Sequence, residues 1–155
     1  MNLSPHFTLQ EAVVSQEAAR RGINNQPDDA MLDRIKLTAD FMENVRRVLD
    51  NKPILVTSWY RCDALERIVA GLSVTQRSSG HHPLGAAVDF HCPGFGSVYE
   101  VAVRLADQAD VLGIGQLIYE YGSWIHVSRL PVPRPEYNRV LTIASGTGTR
   151  TGIQA

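Results

Sequence analysis

Cysteine is scarce in this chain, with two in 155 residues. Cys62 and Cys92 are too few for a disulfide framework, and nothing pairs them at zinc-ribbon spacing, so both read as reduced, packed residues. An excess of one charge is missing too: 15 Lys and Arg stand against 16 Asp and Glu, a formal net charge of -1. That balance leaves no electrostatic footprint for nucleic acid or an anionic membrane. No stretch approaches the roughly 18 uninterrupted apolar residues that a membrane-spanning helix needs. The start, Met1-Asn2-Leu3-Ser4-Pro5-His6, has neither the basic flank nor the apolar core of a secretory signal. The expectation is a protein made in the cytoplasm, which something else must release if its target lies beyond the membrane.

What is present fits an ordinary globular chain. Hydrophobic residues make up 44% and charged residues 20%, a mixture that argues against disorder and against a coiled coil. The length suits one domain with one core. Thr8-Leu9-Gln10-Glu11 reads as a capping box and predicts a helix to about Arg21, stopped at Gly22. Met31, Ile35, Met42, Val45 and Leu49 recur at helical spacing and predict a second, longer helix ending near Asn51. From Pro53 the pattern changes. Residues 54–57 and 86–90 are short, apolar and partly β-branched, as strands are, and 63–69 reads as a short helix between them. Residues 98–109 form a further helical pattern, with Val101, Val103, Leu105 and Ala109 as inward candidates. Residues 117–119 and 124–127 predict two strands joined by a turn through Gly122-Ser123, and 140–143 a last strand. The Gly- and Thr-rich end, 146–155, reads as a flexible tail after a domain of 1–145. The expected class is α+β: N-terminal helices packed on a small, mainly antiparallel sheet that carries the chemistry.

Two segments hold candidate metal ligands. In Gly80-His81-His82-Pro83-Leu84-Gly85-Ala86-Ala87-Val88-Asp89 a histidine precedes a tight Gly turn, which lets its ring fold back towards the aspartate on the strand beyond. Alternation on that strand puts Ala87, Asp89 and His91 on one face and Val88 and Phe90 on the other. A carboxylate within an apolar strand is costly unless it is paired or bound to a cation. The second segment, Tyr119 to Ser128, places His126 in an apolar strand, with Glu120 before it across a hairpin-like turn. Two histidines and a carboxylate make a catalytic zinc set that leaves a fourth position for water, and a nearby non-ligand glutamate can take the proton of that water. Each histidine alone also fits a satisfied core or surface residue. Cys92 beside His91 admits a Cys–His nucleophile, but no orienting partner stands out.

Taken in order, these segments resemble the M15 zinc peptidases, the family of D-alanyl-D-alanine carboxypeptidases and phage peptidoglycan peptidases. The pattern there is Ser-x-His-x-x-Gly-x-Ala-x-Asp, followed by a Trp-x-His strand. Here His82, Gly85, Ala87 and Asp89 keep that spacing, and Trp124-Ile125-His126 supplies the later histidine. His81 competes with His82 but does not keep it. Upstream, Thr57-Ser58-Trp59-Tyr60-Arg61 resembles the family's Thr-Ser-x-Tyr-Arg strand end. The likeness runs from about Phe7 to about Ser128, nearest to the short single-domain branch found in phages and prophages. Three departures stand out. Gly80 replaces the serine two before His82, Glu66 follows Leu65 where the family has Leu-Asn, and Ser123 occupies a position that is acidic in other branches.

The resemblance implies a Zn2+ ion on His82, Asp89 and His126, with Glu120 as the catalytic base. That spacing of Glu120 to the histidine also occurs in the related hedgehog signalling domain. By the same match Arg61 binds a substrate carboxylate, with Tyr60, Trp124, Trp59 and Tyr121 as groove walls or as core. The implied function is hydrolysis of peptide bonds in peptidoglycan stem peptides, as a carboxypeptidase or endopeptidase, in a phage or prophage lysis enzyme. It would be a monomer acting on the cell wall after release, without nucleic-acid partner or membrane insertion. The alternative is a zinc-containing binding or virion structural module of the same fold, without catalysis.

Overall fold

Asp28 ends a loop and starts the helix around which the rest is assembled. Its side chain accepts the Met31 N–H at 2.7 Å, and the helix α3 runs Asp29–Val48. The structure is a computed structural model and describes residues 1–132 and 139–155. Before α3 lie β1 (Asn2–Ser4), β2 (Phe7–Thr8), α1 (Leu9–Val13) and α2 (Gln16–Arg21). After it come β3 (Leu55–Ser58), α4 (Asp63–Val69), β4 (Ala87–His91), α5 (Val98–Asp107), α6 (Ala109–Leu112), β5 (Ile114–Glu120), β6 (Trp124–Arg129), β7 (Val140–Ala144) and β8 (Gly148–Thr151). The class is α+β, with one principal sheet in the order β3-β4-β6-β5-β7-β8, antiparallel except where β5 meets β7.

The apolar side of this sheet packs on α3 and α5. Ile35, Ala39, Met42, Val45 and Leu49 meet Val88, Phe90, Leu117, Ile125 and Val127, with Val101, Ala102 and Leu105 from α5 closing the core. These are the alternate residues of β4 and β6, so the intervening ones face the other way. The register then decides which polar groups meet there. Asp89 pairs with His126, and His126 with Ile118, so Asp89, His126 and, two residues on from Ile118, Glu120 share the face opposite the helices.

Several elements differ from the sequence-based expectation. The single helix predicted over 8–21 is two, because Val14 is extended and Ser15 accepts the Ala18 N–H to start a second helix. The capping box of Thr8 and Glu11 is present. The pattern over 98–109 likewise divides at Gln108, and within it Ala102 is buried while Val103 is only half-buried. The small sheet of β1 and β2 has no period for a sequence reading to detect. Residues 148–151 of the expected tail form β8, paired antiparallel with β7, and Thr142 Oγ1 donates to the Gly152 carbonyl at 2.7 Å. Among the described residues no helix is long and apolar enough to cross a membrane. Both cysteines are free thiols, Cys92 buried and Cys62 half-buried.

Candidate metal centre

The loop between α4 and β4 brings His82 to the sheet. Two carbonyls fold it: His81 accepts from the amides of Leu84 and Ala86, and His82 from that of Gly85. The turn needs a left-handed residue, and Gly85 supplies it at φ +67°. It also needs a bare one. A Cβ there would stand 2.9 Å from Met31 Sδ and 3.1 Å from Ile35 Cγ1, so the loop sits directly on α3. The Gly85 carbonyl accepts from Thr38 Oγ1 at 2.7 Å and from Trp59 Nε1 at 3.4 Å, which fixes the loop to α3 and to the end of β3.

Trp59 orients His82 through its own backbone. The His82 Nδ1 lies 2.5 Å from the Trp59 carbonyl oxygen. A carbonyl only accepts, so Nδ1 carries a proton and Nε2 is the nitrogen turned to the cluster. That Nε2 lies 3.3 Å from Asp89 Oδ1. Across the sheet the same oxygen lies 2.8 Å from His126 Nδ1, and the two imidazole rings meet edge-on with centroids 5.0 Å apart. All three residues are buried, and one ligand atom from each lies within 4.8 Å of the others. The His126 Nε2 is buried and has no hydrogen-bond partner among the described residues. Ligand atoms at bond lengths of about 2.0–2.1 Å from a tetrahedral zinc ion lie roughly 3.3 Å apart, and His82 Nε2 stands at that distance from Asp89 Oδ1. The donor set, an unpaired buried imidazole nitrogen and a histidine held by a carbonyl from behind all fit a zinc site.

Charge gathers around the carboxylate. Burial works to raise the Asp89 pKa, but the two histidines outweigh it and hold this carboxyl well below the usual range. Arg61 adds a third contact, Nη2 to Asp89 Oδ2 at 3.4 Å. Its Nη1 donates to Glu66 Oε2 at 3.0 Å and its Nε to Ser58 Oγ at 3.1 Å. Glu120 ends β5 opposite Trp124 on the ligand face, half-buried. Burial pushes its carboxyl above the ordinary value. His126 and Arg61 oppose that shift and Asp89 adds to it.

A family model described as Peptidase M15 matches residues 5–128. The chain belongs to the M15 peptidase family. The matched span takes in every residue of the centre, and peptidase membership of that kind implies a metallopeptidase acting on a peptide. No curated protein and no solved structure matches the chain significantly.

The candidate residues do not all meet. His82, Asp89 and His126 come together, while His81 turns to Ser128 Oγ at 2.9 Å. Arg61 and Glu120 border the cluster, while Trp124 pairs with Glu120 two residues before His126 on β6 and is in ring contact with the exposed Tyr121 at 5.5 Å. Tyr60 and Arg61 line a groove with Val14, Ser15 and Gln16, at the break between α1 and α2. Trp59 is no groove wall: it is 1% exposed and packs edge-on against Phe7 in the core. His6 pairs with Glu43, remote from the centre. Two participants carried no sequence signal for a role at the centre: the Trp59 carbonyl, which no side-chain pattern encodes, and Glu66, visible only as a departure from the family's asparagine.

Proposed function

We propose that this chain is a zinc-dependent peptidase that hydrolyses peptide bonds in peptidoglycan stem peptides, as a carboxypeptidase or endopeptidase, and serves as a phage or prophage lysis enzyme. One observation carries the hydrolytic reading: a buried His82–Asp89–His126 cluster with a half-buried Glu120 on the same face of the sheet. Zinc bound there would supply Lewis acidity and make a water molecule acidic near neutral pH. Glu120 accepts a proton from water and returns it to the leaving amine, a role suited to a carboxyl shifted towards neutrality. The Trp59 carbonyl keeps His82 in one tautomer throughout. Arg61 offers five N–H donors, of which Ser58, Glu66 and Asp89 each engage one. Those remaining are what a substrate carboxylate would meet. Tyr60 and Trp124 border the approach, where a stem peptide would lie. Release from the cytoplasm to the cell wall and action as a monomer belong to the same proposal.

The test is digestion of purified peptidoglycan by zinc-loaded protein beside its Glu120→Gln variant, with products read by mass spectrometry. Stem-peptide fragments or free D-alanine from the parent, and a loss of about 100-fold or more in the variant, are expected. Equal release by both would remove Glu120 from the mechanism. No release by either, with one zinc held by each, would leave a binding or structural module.

A further inference from the structure

Two of the three departures from the family pattern, Glu66 and Gly80, meet in space. A Cβ on Gly80 would stand 3.0 Å from Glu66 Oε1 and 3.1 Å from Ser78 Oγ, so the Glu66 carboxylate occupies room that a side chain at position 80 would need. Glu66 is 4% exposed and does not stand alone. Ser78 Oγ donates to its Oε1 at 2.8 Å, and Arg61 Nη1 to its Oε2 at 3.0 Å. Burying a carboxylate is costly unless such donors compensate, and both of its oxygens are engaged. The arginine then reaches from Glu66 to Asp89, with Ser58 holding its Nε. Because the guanidinium is planar and rigid, fixing Nε and Nη1 also fixes the direction of Nη2. Nη2 contacts Oδ2 of Asp89, which leaves Oδ1 turned to the two histidines.

We infer that Glu66 is a positioning residue for the metal centre, acting through Arg61 to hold the Asp89 carboxylate with Oδ1 towards His82 and His126. Ser78 ties the Glu66 carboxylate to the loop that leads into His82, so α4, this loop and the ligand strand are joined by one chain of hydrogen bonds. Groups that orient a metal ligand from behind typically change metal affinity by about 10–100-fold when removed. An ion pair serving stability alone would not.

The inference rests on the metal-site reading, and the experiment separates the two. Zinc affinity is measured by chelator competition for the parent, Glu66→Ala, Arg61→Ala and the double variant, with far-UV circular dichroism and melting curves for each. The expected result is a loss of about 10-fold or more for Glu66→Ala, a similar loss for Arg61→Ala, and no further loss in the double variant. Glu66→Gln, which keeps the shape and one acceptor, falls between the parent and Glu66→Ala. If Glu66→Ala does not fold, Glu66→Gln carries the same comparison with and without Arg61. Unchanged affinity with a lowered melting temperature would overturn the inference and leave a purely structural ion pair. Equal losses from Glu66 variants whether or not Arg61 is present would overturn the path through Arg61. A parent that binds no zinc would bring down the metal site itself, and the inference with it.

Discussion

The Trp59 carbonyl oxygen and His82 Nδ1 lie 2.5 Å apart, so a buried backbone group at the end of one strand decides which nitrogen of a histidine faces the cluster. The ligand is thereby oriented before any ion arrives, and the orienting atom belongs to a residue of the core. Pre-orientation of this kind lowers the conformational cost of binding.

Metal binding is therefore expected to stabilise a fold that already exists. The apolar core contains none of the three ligands, so metal-free protein should keep its far-UV circular dichroism. Zinc at about 100 times its dissociation constant adds roughly 2.7 kcal/mol. For a chain of this length that is a rise of about 5–10 °C in melting temperature. His82→Ala should abolish the rise, and a parent that melts at the same temperature with and without zinc would contradict the site.

Gly85 tests whether the turn before β4 is as constrained as its surroundings imply. An alanine there must take φ +67° and place its Cβ 2.9 Å from Met31 Sδ. The left-handed backbone and the overpacking together cost about 2 kcal/mol or more. Gly85→Ala should melt roughly 5 °C or more below the parent and bind zinc more weakly, because His82 rides on the same turn. Differential scanning calorimetry and chelator competition check the two halves separately.

Glu120 should show opposite effects on activity and on stability. Burial raises its pKa in the folded, metal-free protein, so folding favours the protonated carboxyl. The sign follows from linkage: that contribution is present below the unfolded value and is lost as pH rises through the folded one. Metal-free Glu120→Gln should therefore match the parent in acid and be at least as stable near neutral pH, despite its loss of activity. Melting curves across that pH range decide it. A variant clearly less stable at neutral pH would mean that the ionised carboxylate has a stabilising partner.

The candidate ligands were legible because the M15-like pattern that marks them is local. The histidine, the turn glycine, the small residue and the aspartate fall within one short segment, and a Trp-x-His strand needs no knowledge of its neighbours. The same holds for α3, whose apolar period is written along the chain, and for α4, whereas the Asp28 cap of α3 came only with the structure. Other features depend on partners distant in sequence. The break at Val14 and Ser15, the pairing of β1 with β2 and the parallel placement of β7 beside β5 are set by hydrogen bonds between segments that no periodicity records. Trp59 reads equally as groove wall or as core until its neighbours are known. The cost of burying Glu66 is met by Arg61 and Ser78, and the tautomer of His82 by a backbone oxygen. Residue types and their spacing could nominate the metal ligands. Which groups stand behind them, and in what orientation, follows from burial and register, which exist only once the chain has folded.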